Sequence, residues 1–150
     1  MVSLDSPELG VIEIYVGLIP EPIPTYEAFP VEIVNEFYEK GNIAHKVIPS
    51  LDGADVYTGI VSFDEENGDC YGSVVATFNG EESIGKTAYE GYLEALIQAG
   101  FDYREDEAIG YRYFSPDNEY VVSVEFEGAD YYTGYSVVKI YFDNIVDGQI

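Results

Sequence analysis

Tryptophan is absent from this chain of 150 residues, and cysteine, histidine and methionine occur once each. Because Cys70 is the only cysteine, no intrachain disulfide can form, although a domain of this size needs none. No apolar run approaches the roughly 20 residues of a membrane-spanning helix, so no membrane span is expected. The opening residues MVSLDSPELG also lack the basic and apolar regions of a secretory signal peptide.

Positive charge is scarce as well. Six Lys and Arg residues face 29 Asp and Glu residues, which gives a formal net charge of −23 at pH 7. Direct binding to nucleic acid is therefore not expected, because contacts to phosphate need Lys and Arg side chains. The negative electrostatic field of the chain favours basic protein surfaces or cations as partners, or a high-salt environment. Solubility alone is the simpler explanation of the high net charge. Self-repulsion should weaken the folded state, and salt should relieve it.

The residues that are present predict a folded α+β domain. Hydrophobic residues make up 47% of the chain, the share of an ordinary globular protein. Apolar spacing predicts one helix from Pro30 to the residue before Gly41. A second helix should run to Ala99 from a capping box at Thr87. Strands are predicted at residues 9–16, 57–63, 71–78, 109–114, 120–126 and 135–142.

Nothing helical is predicted after Gly100, so the last strands should form an antiparallel meander. We therefore expect an antiparallel sheet with two helices packed on one face, in a domain that spans residues 25–150. Residues 1–24 are interpreted as a separate strand followed by the proline-rich linker Pro20–Pro24.

Two internal similarities suggest repeats. The heptapeptide Gly53–Gly59 (GADVYTG) recurs as Gly128–Gly134 (GADYYTG), which favours either an internal duplication or a reused turn before a strand. The segment Leu9–Gly17 (LGVIEIYVG) is similar to Tyr135–Asp143 (YSVVKIYFD). We interpret it as the tail of a preceding repeat, with chance similarity between two apolar strands as the alternative.

Three longer segments resemble a known family. The segments FPVEIVNEF, YLEALIQAGFDY and IGYRYFSPDNEYVVSVEF are similar to repeat units of uncharacterised surface lipoproteins of Gram-positive bacteria. The similarity covers most of the chain from Phe29 to Phe142. The resemblance implies tandem repetition, a non-enzymatic role and an extracellular or cell-surface location, with a cytoplasmic location as the alternative.

One motif matches a nucleotide-binding loop. Residues Gly80–Thr87 (GEESIGKT) fit the pattern G-x-x-x-x-G-K-T, in which Lys86 would contact phosphate and Thr87 would bind Mg²⁺. We reject this interpretation because Glu81 and Glu82 would repel phosphate. The fold also needs parallel strands joined by crossover helices, which the predicted elements do not supply. No cofactor is therefore expected.

Acidic residues concentrate in the turn between the strands at 57–63 and 71–78. Asp64, Glu66 and Asp69 are candidate ligands of a divalent cation, because hard cations prefer oxygen ligands. The turn lacks EF-hand spacing, and a solvated hairpin tip is the alternative interpretation.

Catalytic residues are hard to find in this sequence. Cys70 and His45 are the only pair available for nucleophilic catalysis, but they lie on different segments, and the acidic turn should raise the pKa of Cys70. Carboxylates are so abundant that no pair of them indicates a hydrolase. The chain is therefore not expected to be an enzyme.

Tyrosine is abundant, with 15 residues, and many of them fall on or between the last predicted strands. Strand propensity explains most of them, but tyrosine also offers a large contact area with a polar end. We interpret Tyr113, Tyr131 and Tyr132 as a binding surface on one face of the sheet.

The predicted function is a non-enzymatic, acidic interaction or structural module of an exported or surface protein, with a protein or another surface ligand as its partner. The alternative is an intracellular DNA-mimic inhibitor of a nucleic-acid-binding enzyme. In that hypothesis the carboxylates imitate phosphates and occupy a basic groove.

Overall fold

The computed structural model describes residues 24–106, 110–129 and 131–145. In these residues two helices pack on a single antiparallel sheet of seven strands, which confirms the α+β prediction. The predicted strand at 9–16 and most of the proline-rich linker lie outside the described residues. The helices are α1 (Val31–Lys40) and α2 (Glu82–Gln98), and the strands are β1 (Thr25–Tyr26), β2 (Val56–Asp64), β3 (Asp69–Phe78), β4 (Asp102–Asp106), β5 (Gly110–Phe114), β6 (Tyr120–Glu127) and β7 (Ser136–Asn144).

Strand β7, the last strand among the described residues, is the central strand of the sheet. The strand order is β1-β2-β3-β7-β6-β5-β4. Ile140 in the middle of β7 has Val74 of β3 as its partner on one side and Val124 of β6 on the other. The sheet therefore joins the β1–β3 half to the β4–β6 meander through β7 alone.

Both helices lie on the same face of the sheet. In α1, Phe37 packs edge-on against Phe142 of β7, with ring centroids 4.8 Å apart. In α2, Tyr89 packs against Phe126 of β6 at 5.8 Å. Direct cross-strand partners and residues two apart along a strand point to the same side, which places Phe126 and Phe142 on one face. The fully buried core under the helices includes Phe37, Val74, Phe78, Tyr92, Leu96, Tyr120, Val122, Val138, Ile140 and Phe142.

The start of α2 differs from the prediction. The helix begins at Glu82, so Thr87 lies inside it and does not cap it. Gly85 is buried in this first part of the helix, and a Cβ atom there would overlap Oγ of Ser136 in β7. Glycine is a poor helix former in isolation, but here its missing side chain lets the helix approach the sheet closely. The segment Gly80–Thr87 is therefore mostly helix and does not form a phosphate-binding loop.

The two similar heptapeptides adopt different local structures. Residues Val56–Gly59 of the first copy belong to β2, whereas residues 131–134 of the second copy lie in the turn that precedes β7. An internal duplication therefore stays a hypothesis that rests on the sequence.

Candidate interaction surface

Two adjacent tyrosines project from the turn between β6 and β7. The side chain of Tyr131 is 93% exposed and that of Tyr132 is 91% exposed. Their rings are nearly perpendicular, with centroids 5.2 Å apart. Single exposed apolar residues are ordinary on a protein surface. Two contiguous and almost fully exposed aromatic rings, in contrast, indicate a candidate interaction surface. We call Tyr131 and Tyr132 the aromatic tip.

Hydrogen bonds fix the chain on both sides of the aromatic tip. Before it, the N–H of Ala129 donates to Oε1 of Glu82, at the start of α2, over 2.5 Å. After it, the N–H of Tyr135 donates to Oγ1 of Thr133 over 3.1 Å. Gly134 has a φ of +74°, in the left-handed region that favours glycine. These contacts hold Ala129 on one side of the aromatic tip and Thr133 to Tyr135 on the other.

Tyr113 does not belong to this surface. It pairs with Val122 of β6 on the helix-bearing face, where its ring packs on Tyr103 at 4.8 Å. The β6–β7 ladder ends at Glu127, five residues beyond Val122. At about 3.4 Å per residue this separation is roughly 17 Å. The prediction that Tyr113, Tyr131 and Tyr132 share a sheet face is therefore wrong in its geometry, since two of them lie in a turn and the third lies far from it.

Two carboxylates, those of Glu82 and Glu127, lie beside the base of the aromatic tip. Glu81 and Glu82 are exposed at the start of α2, where the helix dipole favours negative charge. Glu127 ends β6, and its carboxylate accepts a hydrogen bond from Nζ of Lys139 over 2.5 Å. The tip is therefore an aromatic pair next to an acidic surface.

The candidate metal ligands stabilise a hairpin instead. Oδ1 of Asp64 accepts a hydrogen bond from the N–H of Glu66 over 2.9 Å, and Asp69 is the direct cross-strand partner of Asp64. In the part of the chain that the structure describes, no group of three or more His, Cys, Asp or Glu side chains is placed to hold a metal ion. Among these residues the predicted cation site at Asp64, Glu66 and Asp69 therefore finds no support in the structure.

Cys70 and His45 have different partners. The Cys70 side chain is completely buried, and its Sγ donates to the carbonyl oxygen of Phe37 over 3.9 Å. Burial, more than the neighbouring acidic residues, raises the pKa of this thiol. Nδ1 of His45 lies 3.1 Å from Oδ2 of Asp117 at the surface. A buried thiol with a raised pKa is a poor nucleophile, so these residues form no catalytic pair.

Comparison of the chain with protein-family models, curated proteins and solved structures gives no significant match. The resemblance to surface lipoprotein repeats, and the export that it implies, therefore stay predictions. No helix among the described residues is long and apolar enough to cross a membrane.

Proposed function

We propose that this chain is a non-enzymatic interaction module of an exported or surface protein, and that the aromatic tip contacts its partner. The observation that supports the proposal is the exposure of Tyr131 and Tyr132, at 93% and 91%. Tyrosine is enriched in protein interfaces because its ring supplies contact area and its hydroxyl still forms hydrogen bonds. The hydrogen bonds on either side of the tip lower the entropy cost of binding.

Charge indicates the chemistry of the partner. A net charge of −23 attracts basic surfaces and accelerates their encounter with the chain. The face of a tyrosine ring also attracts a cation, by about 0.5–1 kcal/mol at an exposed site. Arginine fits this surface better than lysine because its planar guanidinium stacks on aromatic rings. The proposed partner is a protein surface or segment that presents arginine side chains.

A binding experiment with a synthetic hexa-arginine peptide tests this proposal. The Tyr131→Ser/Tyr132→Ser double variant should bind the peptide with roughly 5- to 30-fold lower affinity, because it loses about 1–2 kcal/mol of ring contacts. The matched control is Tyr103→Ser, which removes a 45% exposed tyrosine from the remote strand β4. Equal affinities for the double variant and the unmodified chain would contradict the proposal.

A second candidate function uses a different surface. The helix layer carries exposed glutamates, namely Glu32, Glu39, Glu90 and Glu94. In the DNA-mimic hypothesis these carboxylates occupy the basic groove of a nucleic-acid enzyme in place of phosphates. The chain would then inhibit members of a panel of nucleases and polymerases, and added salt would weaken the inhibition. Glu90→Gln/Glu94→Gln would reduce inhibition, whereas the tyrosine double variant would leave it unchanged.

A further inference from the structure

Two aspartates meet on the face of the sheet opposite the helices. Asp143 of β7 is the direct partner of Tyr71 of β3, and Asp69 lies two residues before Tyr71 on the same side. Among the described residues, Oδ1 of Asp69 and Oδ1 of Asp143 are both buried without a hydrogen-bond partner. Two ionised carboxylates are only acceptors, so neither can satisfy the other unless one of them carries a proton.

The groups around this pair are mostly acidic or aromatic. On β2, Asp64 is the cross-strand partner of Asp69. On β3 and β7, the rings of Tyr71 and Tyr141 stack with centroids 6.3 Å apart. On β6, the titratable side chains of this face are Glu125 and Glu127, which lie beside Lys139 further along the sheet. On β5, Arg112 is the cation that acts on Asp143.

These surroundings favour protonation of one of the two aspartates. Burial is the largest effect on Asp143, followed by a hydrogen bond and charge repulsion from Asp69. Together they raise the pKa of Asp143 from 3.8 to about 6, against the opposing effect of Arg112. The protonated carboxyl of one aspartate can then donate to the carboxylate of the other.

The same place in the fold joins the β2–β3 hairpin to the central strand. Asn144, the residue after Asp143, accepts a hydrogen bond at Oδ1 from the N–H of Cys70 over 2.8 Å. Its Nδ2 donates to the carbonyl oxygen of Gly68 over 3.0 Å. The neutral side chain of Asn144 therefore holds the hairpin by two hydrogen bonds on one face of β7. The two aspartates lie together on the other face.

We propose that Asp69 and Asp143 share one proton in weakly acidic solution, which fastens the tip of the β2–β3 hairpin to β7, and that loss of this proton near neutral pH loosens the tip. The pKa of Asp143 lies above its ordinary value in the folded chain, so protonation stabilises the fold. This contribution is complete below about pH 4 and disappears as the pH rises through about 6. The inference is independent of the proposed function, because it concerns the sheet face and hairpin and not the aromatic tip.

Asp143→Asn tests the proposal, because the amide can donate to Asp69 at every pH. In the unmodified chain, amides 66–70 at the hairpin tip should exchange with solvent more slowly at pH 5 than at pH 7, after correction for intrinsic rates. The difference should be on the order of tenfold, since one pKa unit corresponds to a tenfold change in an equilibrium. Asp143→Asn should abolish this difference, and the control Asp64→Asn, at an exposed aspartate of the same hairpin, should retain it.

A direct titration supplies a second readout that needs no variant. The side-chain carboxyl carbon of Asp143, followed by NMR in the full chain, should titrate with a midpoint near pH 6. A midpoint near the ordinary value of 3.8 would overturn the proposal. The same conclusion would follow if Asp143→Asn kept the pH dependence of exchange at the hairpin tip.

Discussion

Gly72 of β3 and Phe142 of β7 are direct cross-strand partners, and the ring of Phe142 occupies the space that a Cβ atom at position 72 would need. Phe142 is fully buried, and Phe37 of α1 packs on it. The absence of a side chain at Gly72 therefore lets the central strand present a large ring to α1. This contact joins the first helix to the middle of the sheet.

Gly72→Ala should destabilise the fold. The added methyl group must displace Phe142 in a packed core, which costs about 1–3 kcal/mol of the free energy of unfolding. The control is Gly91→Ala in α2, where a Cβ atom would meet nothing within 4 Å. That substitution should stabilise the helix by about 0.5–1 kcal/mol. Urea unfolding monitored by circular dichroism measures both changes, and equal effects at the two positions would contradict the packing described.

Asn144→Ala should also destabilise the fold, by a different mechanism. It leaves the buried N–H of Cys70 without its acceptor, which costs about 1–3 kcal/mol. The control Asn35→Ala, on the exposed side of α1, should change stability by less than about 0.5 kcal/mol. Amide exchange locates the effect, because the Cys70 amide should lose protection before the middle of β3. Unchanged protection at Cys70 would show that Asn144 does not clamp the hairpin.

Salt should stabilise this protein at neutral pH. The net charge of −23 produces self-repulsion, which sodium chloride screens as the Debye length falls from about 30 Å at 0.01 M to about 3 Å at 1 M. The melting temperature at pH 7 should therefore rise across this range of salt. At pH 4, which is near the ordinary pKa values of aspartate and glutamate side chains, the net negative charge is smaller and the same salt should have a smaller effect. A melting temperature independent of salt at pH 7 would contradict the role given to self-repulsion.

The sequence allowed the regular elements to be predicted where apolar spacing and turn residues agree. Helix α1 was predicted between Pro30 and Gly41, and it spans Val31–Lys40. The hairpin of β2 and β3 was predicted from Asn67-Gly68, and Gly68 does adopt a positive φ of +77°. In these segments the local preferences and the tertiary contacts favour the same conformation.

The remaining features depend on contacts that are distant in the sequence. The first turns of α2 contain Gly85, whose close approach to Ser136 outweighs its weak helix propensity. Strand β4 was not predicted because four of its five residues are charged, and pairing with β5 at the sheet edge is what makes it a strand. The central position of β7 follows from pairing across the whole chain, which no local pattern encodes.

The candidate functional residues also divide into those that the sequence identifies and those that depend on distant contacts. Residue type alone identifies Tyr131 and Tyr132, but strand propensity predicts that they lie on a sheet face. In the structure they lie in a turn, which Gly134 and the hydrogen bond from the N–H of Tyr135 to Oγ1 of Thr133 stabilise. The Asp69–Asp143 pair was not predicted, since 29 acidic residues gave no reason to select these two. Only the register between β3 and β7 brings them together.

In the proposed function the aromatic tip, and not the acidic surface as a whole, contacts an arginine-bearing partner. The most direct measurement is an NMR titration of the isotope-labelled full chain with the hexa-arginine peptide in about 150 mM salt, where the Debye length is about 8 Å. The largest shifts should occur at the rings of Tyr131 and Tyr132, and a hexa-lysine peptide should shift these signals less. Shifts spread evenly over the acidic helices and turns, with none concentrated at residues 131–132, would contradict the proposed function.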